Sequence, residues 1–104
     1  MIDLAEMTEI IVYAQSGDYY RIRVPENPTT GYRWATECEG GVEVVQDIFE
    51  RPAGNPTGSP GLRTFTVKVS KNGTVHLGMQ RSWDFKDDIK HDASHRQVKF
   101  VVPN

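Results

Sequence analysis

Short β-rich segments, several of them alternating and most separated by turn residues, are what most constrain the fold of this chain. Asp18 to Val24 (DYYRIRV) puts Tyr20, Ile22 and Val24 on one side and Tyr19, Arg21 and Arg23 on the other, as a strand with one wet face does. Leu62 to Ser70 repeats the pattern with Phe65, Val67 and Val69 against Thr64, Thr66 and Lys68, and Thr74 to Arg81 alternates through Val75, Leu77 and Met79. Thr8 to Ala14, Tyr32 to Cys38, Val42 to Glu50 and Gln97 to Val102 complete a set of seven β-rich segments. None sustains the 3.6-residue period of an amphipathic helix.

Seven short strands with Trp34 near the start of the third predict an immunoglobulin-like antiparallel β-sandwich of seven to eight strands, in one domain over residues 1–104. A small barrel fits the same spacing. Lys71-Asn72-Gly73 reads as a tight turn, because Asn-Gly readily adopts the positive φ of hairpin turns. An immunoglobulin-like chain would instead cross between sheets there, and the residues alone leave both courses open.

Composition narrows the function classes. The formal charge of −2 and the scattered basic residues argue against nucleic-acid binding, which needs Lys and Arg gathered on one face. No apolar run approaches the roughly 20 residues of a membrane-spanning helix. The start, MIDLAEMTEI, is acidic where an export signal is basic, so cytoplasmic or vesicular residence is expected. Cys38 is the single cysteine, which excludes an internal disulfide and suggests a buried, inert thiol. Nothing calls for a cofactor, and a monomer is expected when the chain is free.

Three connecting stretches stand out from the strands. In the first, Asn27-Pro28-Thr29-Thr30-Gly31-Tyr32, Pro28 restricts its own φ and pushes Asn27 into an extended form, while Gly31 supplies a left-handed position. Taken alone, this is also what an ordinary inter-strand turn looks like. The second, Arg51 to Gly61 (RPAGNPTGSPG), holds three prolines and three glycines and must be a loop. In the third, Arg81-Ser82-Trp83 leaves a strand for the polar run Asp84 to Ser94, and Arg beside Trp is the composition of an interface hot spot. In a sandwich, these three connections gather at one end.

The order and spacing of NPTTGY, of Gly58-Ser59-Pro60-Gly61, and of Arg81-Ser82-Trp83 resemble the three loop motifs of chagasin-type inhibitors of papain-like cysteine proteases. That resemblance implies an inhibitor that occludes a protease cleft with loops 27–32, 51–61 and 81–94. Asn27, Pro28, Thr29, Thr30, Gly31 and Tyr32 would bind the protease with the Thr29–Thr30–Gly31 tip in its catalytic cleft, Gly58, Ser59, Pro60 and Gly61 would line one side, and Arg81, Ser82 and Trp83 the other. The implied partners are papain and cathepsin-like enzymes. Pro60 stands where such proteins commonly have a second glycine and Ser82 where they have proline, departures that bear on affinity and target range.

Two other readings stand beside it. A binding module for another protein or a carbohydrate would keep the sandwich and its loop end but leave proteases untouched. An enzyme would need Cys38 activated by His76, His91 or His95, yet none of these lies in a recognisable motif. His91, Asp92 and His95 offer metal-ligand types at weakly specific spacing, and Asp87-Asp88 reads as solvated loop charge. Asn72-Gly73-Thr74 forms a glycosylation sequon, relevant only to a secreted chain.

Overall fold

The computed structural model describes residues 2–4, 8–27, 31–51, 61–81 and 95–103, with Arg81 by its backbone alone. The strands are β1 (Ile2–Asp3), β2 (Glu9–Tyr13), β3 (Asp18–Glu26), β4 (Tyr32–Glu50), β5 (Gly61–Arg81) and β6 (Arg96–Val101). All seven expected segments are β structure, but two neighbouring pairs run together into the long β4 and β5. The parallel strand β1, held on β3 by the Arg23–Asp3 ion pair at 2.9 Å, had no signal in its two-residue sequence.

β4 and β5 pair antiparallel along their length, from Tyr32 opposite Arg81 to Glu50 opposite Leu62. Midway, Gly40 faces Gly73 and Val42 faces Val69, so Gly41 stands against Ser70, Lys71 and Asn72. A bulge of this kind bends both strands. Gly40 takes a φ of 74°, and a Cβ there would lie 2.5 Å from the Asn72 carbonyl oxygen. A Cβ on Gly73 would lie 2.5 Å from the carbonyl oxygen of Glu39. The Asn-Gly step is therefore a corner and not a hairpin turn: β5 passes straight through it, and Gly73 is not among the glycines with positive φ. Asn72 serves the corner with its side chain, its Oδ1 accepting a hydrogen bond from Val102 N–H at 2.6 Å.

Beyond the corner the neighbours change. The first arm of β5 pairs with β3 from Gly61 to Val69, the second with β6 from Gly73 to Leu77, while β4 follows both arms on the other edge. The sheet thus curls on itself as an immunoglobulin-like sandwich, with most pairs antiparallel and β1–β3 and β2–β6 parallel. Ile22, Val24, Phe65, Val67 and Val69 of one layer meet Val75, Leu77, Val98 and Phe100 of the other, all fully buried. The Tyr20 ring of β3 lies 5.3 Å from that of Phe100 on β6, centroid to centroid. Each such side chain contributes about 1.5–3 kcal/mol on leaving water. Trp34 is buried as expected.

Cys38 departs from expectation because it is exposed. It shares the inward parity of Trp34 and Thr36, but β4 is an edge strand and cover runs out along it, from buried Trp34 through half-buried Thr36 to exposed Cys38. Partial burial, with the nearby Glu43 carboxylate, still pushes the thiol pKa up despite a hydrogen bond from the Val44 backbone. The thiol is accordingly a weak nucleophile at neutral pH.

Candidate functional site

The strand register decides where the three distinctive connections begin and end. Glu26, the last residue of β3, faces Gly61, the first of β5. Glu50, the last of β4, faces Leu62, and Tyr32, the first of β4, faces Arg81, the last of β5. Because β4 and β5 both fold back at the corner, the start and the finish of each lie at the end of the sandwich remote from it. The roots of all three connections share that end.

Side chains then tie the roots together. Strand parity continues inward from Ile22 and Val24 to Glu26, which is 4% exposed and carries a buried carboxylate. Arg63 likewise follows the inward parity of Phe65 and Val67. Its Nε donates to Glu26 Oε1 and its Nη2 to Oε2, both at 2.8 Å, a two-pronged match of guanidinium and carboxylate. Glu26 Oε1 also accepts from the Trp34 backbone N–H at 2.6 Å. Arg63 Nη1 donates to Asp47 at 2.6 Å, and Asp47 accepts from Arg33 at 2.8 Å, joining the two arms of β4. Burial by itself would lower the Arg63 pKa; Glu26 and Asp47 more than reverse this, so the guanidinium stays charged.

Trp34 extends the linkage. Its indole Nε1–H donates to the Pro25 carbonyl at 2.8 Å, and the Arg96 guanidinium lies over its ring, 5.6 Å from the centroid. Arg96 begins β6, immediately beyond the third connection, and its Nε donates to the Leu4 carbonyl at 3.3 Å. One linked cluster, buried at Glu26 and Trp34 and exposed at Asp47, therefore touches a root of every connection.

Of the residues singled out from sequence, Gly31 has a φ of 79°, the left-handed conformation expected of it. Asn27 and Tyr32 are half-buried at the roots of the first connection. Gly61 is buried as the first residue of β5, with no room for a side chain: a Cβ would lie 2.5 Å from the Phe49 ring. Pro28, Thr29, Thr30, Gly58, Ser59, Pro60, Ser82 and Trp83 lie outside the described residues, as do Asp87, Asp88, His91 and Asp92. Glu26, Arg33, Asp47 and Arg63 escaped the sequence reading. The available signal was a break in pattern: Glu26 and Arg63 are charged residues at inward positions, each at the loop end of its strand.

The residues invoked for catalysis are not brought together. Cys38 pairs with Val75 and His76 with Glu37, on successive rungs, so their side chains leave opposite faces of the sheet. His76 Nε2 instead lies 3.3 Å from Glu39 Oε2, and its Nδ1 lies 3.1 Å from Nε2 of His95. Among the described residues no three His, Cys, Asp or Glu side chains converge as a metal site.

This architecture has known counterparts. The chain resembles the cysteine protease inhibitor EhICP2 from Entamoeba histolytica, with a TM-score of 0.73 at 23% identity over 98% of this chain and 95% of that one. The solution structure of amebosin matches with a TM-score of 0.61 at 26% identity, covering 98% and 97% of the two chains. Chagasin from Trypanosoma cruzi is 30% identical over 96 residues, covering 83% of this chain and 79% of chagasin. Residues 13–100, from the last residue of β2 into β6, match the family described as chagasin family peptidase inhibitor I42. The chain therefore belongs to the chagasin family of peptidase inhibitors.

Proposed function

We propose that the chain is one inhibitor domain that binds papain-like cysteine proteases reversibly and tightly, blocking their active-site cleft with loops 27–32, 51–61 and 81–94. The observation that carries this reading is the common placement of the loop roots: Glu26 beside Gly61, Glu50 beside Leu62, and Tyr32 beside Arg81. Three segments rooted so closely can act as one wedge. Thr29, Thr30 and Gly31 enter between the target's catalytic cysteine and histidine without offering a peptide bond in a cleavable orientation. Residues Gly58 to Gly61 run along one side of the cleft, adding backbone hydrogen bonds in the manner of an extra strand. Arg81, Ser82 and Trp83 pack on the other side. The inhibitor supplies no catalytic group of its own, in keeping with an inhibitor family and with Cys38 and His76 on opposite sheet faces.

An interface of about 1,600 Å² reaches high affinity only if little ordering remains to be done on contact. Pro28 and the left-handed Gly31 reduce that ordering at the tip. Titration of papain and a cathepsin-like enzyme, with trypsin as control, tests the proposal. We expect stoichiometric inhibition of the first two and none of trypsin. Trp83→Ala should weaken binding by about 2 kcal/mol, and Gly31→Val should weaken it while the domain stays folded. Full potency in both variants would remove the loops from the mechanism. A folded chain that leaves both cysteine proteases active would favour a module for another protein or carbohydrate.

A further inference from the structure

The ion pair of Glu26 and Arg63 lies where strand parity calls for apolar side chains. Glu26 has a side-chain exposure of 3% and Arg63 of 11%. Replacing a buried ion pair by well-packed apolar groups is often neutral for stability or favourable, since the desolvation of two charges consumes most of their attraction. Stability alone therefore does not account for charge at these positions. What the pair adds over an apolar contact is direction, because a guanidinium fork and a carboxylate fix distance and angle together.

We propose that Glu26 and Arg63 are positioning residues for inhibition, setting the relative geometry of the three loops without touching the protease; this rests on the loop assignment proposed above. The Glu26 carboxylate reaches the end of β3, the Trp34 N–H of β4 and, through Arg63, the start of β5. Arg63 carries the linkage to Asp47 and so to Arg33, and Trp34 carries it to Arg96 at the start of β6. A shift of the carboxylate at one root therefore moves the others. Since the wedge must fit a preformed cleft with all its parts at once, a looser clamp reduces affinity by adding ordering to the cost of docking.

The test compares potency with stability. The double variant Glu26→Gln/Arg63→Met keeps an acceptor for the Trp34 N–H and fills the space of Arg63, but removes the fork. We expect its thermal midpoint close to that of the wild type and its inhibition constant for papain raised about tenfold or more, mainly through faster dissociation. Val98→Ala, a cavity in β6 on the corner side of Arg96 and touching neither Glu26 nor Arg63 through a hydrogen bond, should lower the midpoint and leave the inhibition constant unchanged. In a Gly31→Val background the double variant should cost less than it does alone, since both changes act on the same loop geometry. Should the double variant fail to fold, Arg63→Lys, which keeps the charge and loses the fork, should still bind several-fold more weakly. A wild-type chain that does not inhibit papain overturns both the loop assignment and the clamp's role in it. A wild-type chain that inhibits, with a clamp variant of equal potency or Val98→Ala equally impaired, overturns the clamp alone.

Discussion

The two ends of this sandwich are built by different physics. At the corner, Gly40, Gly41 and Gly73 let backbone approach backbone, and the bend follows from the absence of side chains. At the loop end, backbone pairing stops and charged side chains take over, with Glu26, Arg63, Asp47 and Arg33 linked in series and Trp34 joined to the first. The contrast shows two ways in which one small domain can fix its strand ends, and the proposed function assigns recognition to only one of them. At the corner glycines set backbone against backbone, whereas at the other end a side-chain clamp holds the strand ends from which the connections leave.

That contrast can be broken by substitution. The largest expected effect is at the clamp, where Arg63→Ala strands the Glu26 carboxylate in the interior and should destabilise the fold by about 3–5 kcal/mol, read from the shift in a urea unfolding curve. A loss below about 1 kcal/mol would mean that water reaches Glu26 freely. At the corner, Gly73→Val drives a side chain into the Glu39 carbonyl and should cost about 3 kcal/mol. Its molecules that remain folded at low temperature should inhibit like the wild type, separating the two ends by function as well as by stability.

Smaller effects sharpen the picture. The Asp47 side chain is 31% exposed, so Asp47→Asn should cost no more than about 1 kcal/mol of stability, a difference that a double-mutant cycle with Arg33 would resolve. Least affected should be Cys38→Ser, with inhibition unchanged. The Cys38 thiol itself should react with iodoacetamide only as pH rises past the range of a free cysteine, because its raised pKa leaves less thiolate at any given pH. Reaction at the rate of free cysteine at pH 7 would show that Cys38 is more solvated than its partial burial indicates.

Much of the fold was legible from period-two alternation. Tyr20, Ile22 and Val24 on β3 and Phe65, Val67 and Val69 on β5 turn inward as their spacing predicts. The corner was legible in its residues but not in its form. Asn72-Gly73 carries the same signal for a hairpin and for a bulged crossing, and only pairing with Gly40 across β4 selects the crossing. Cys38 was misplaced for a related reason: parity tells which way a side chain points, but whether anything covers it depends on a strand being at the edge. Of the candidate site, the Gly31 conformation could be read locally, while the clamp could not.

What the amino-acid order determined by itself is therefore local: strand parity and the preference of Gly31 for a left-handed backbone. These depend on each residue's own sterics and on its near neighbours. The tertiary structure alone decided that Glu26, Trp34, Asp47 and Arg63 meet, across separations of 8 to 37 residues. Charges so far apart along a chain acquire a mutual energy only once pairing register brings them within hydrogen-bond reach and burial removes the water between them.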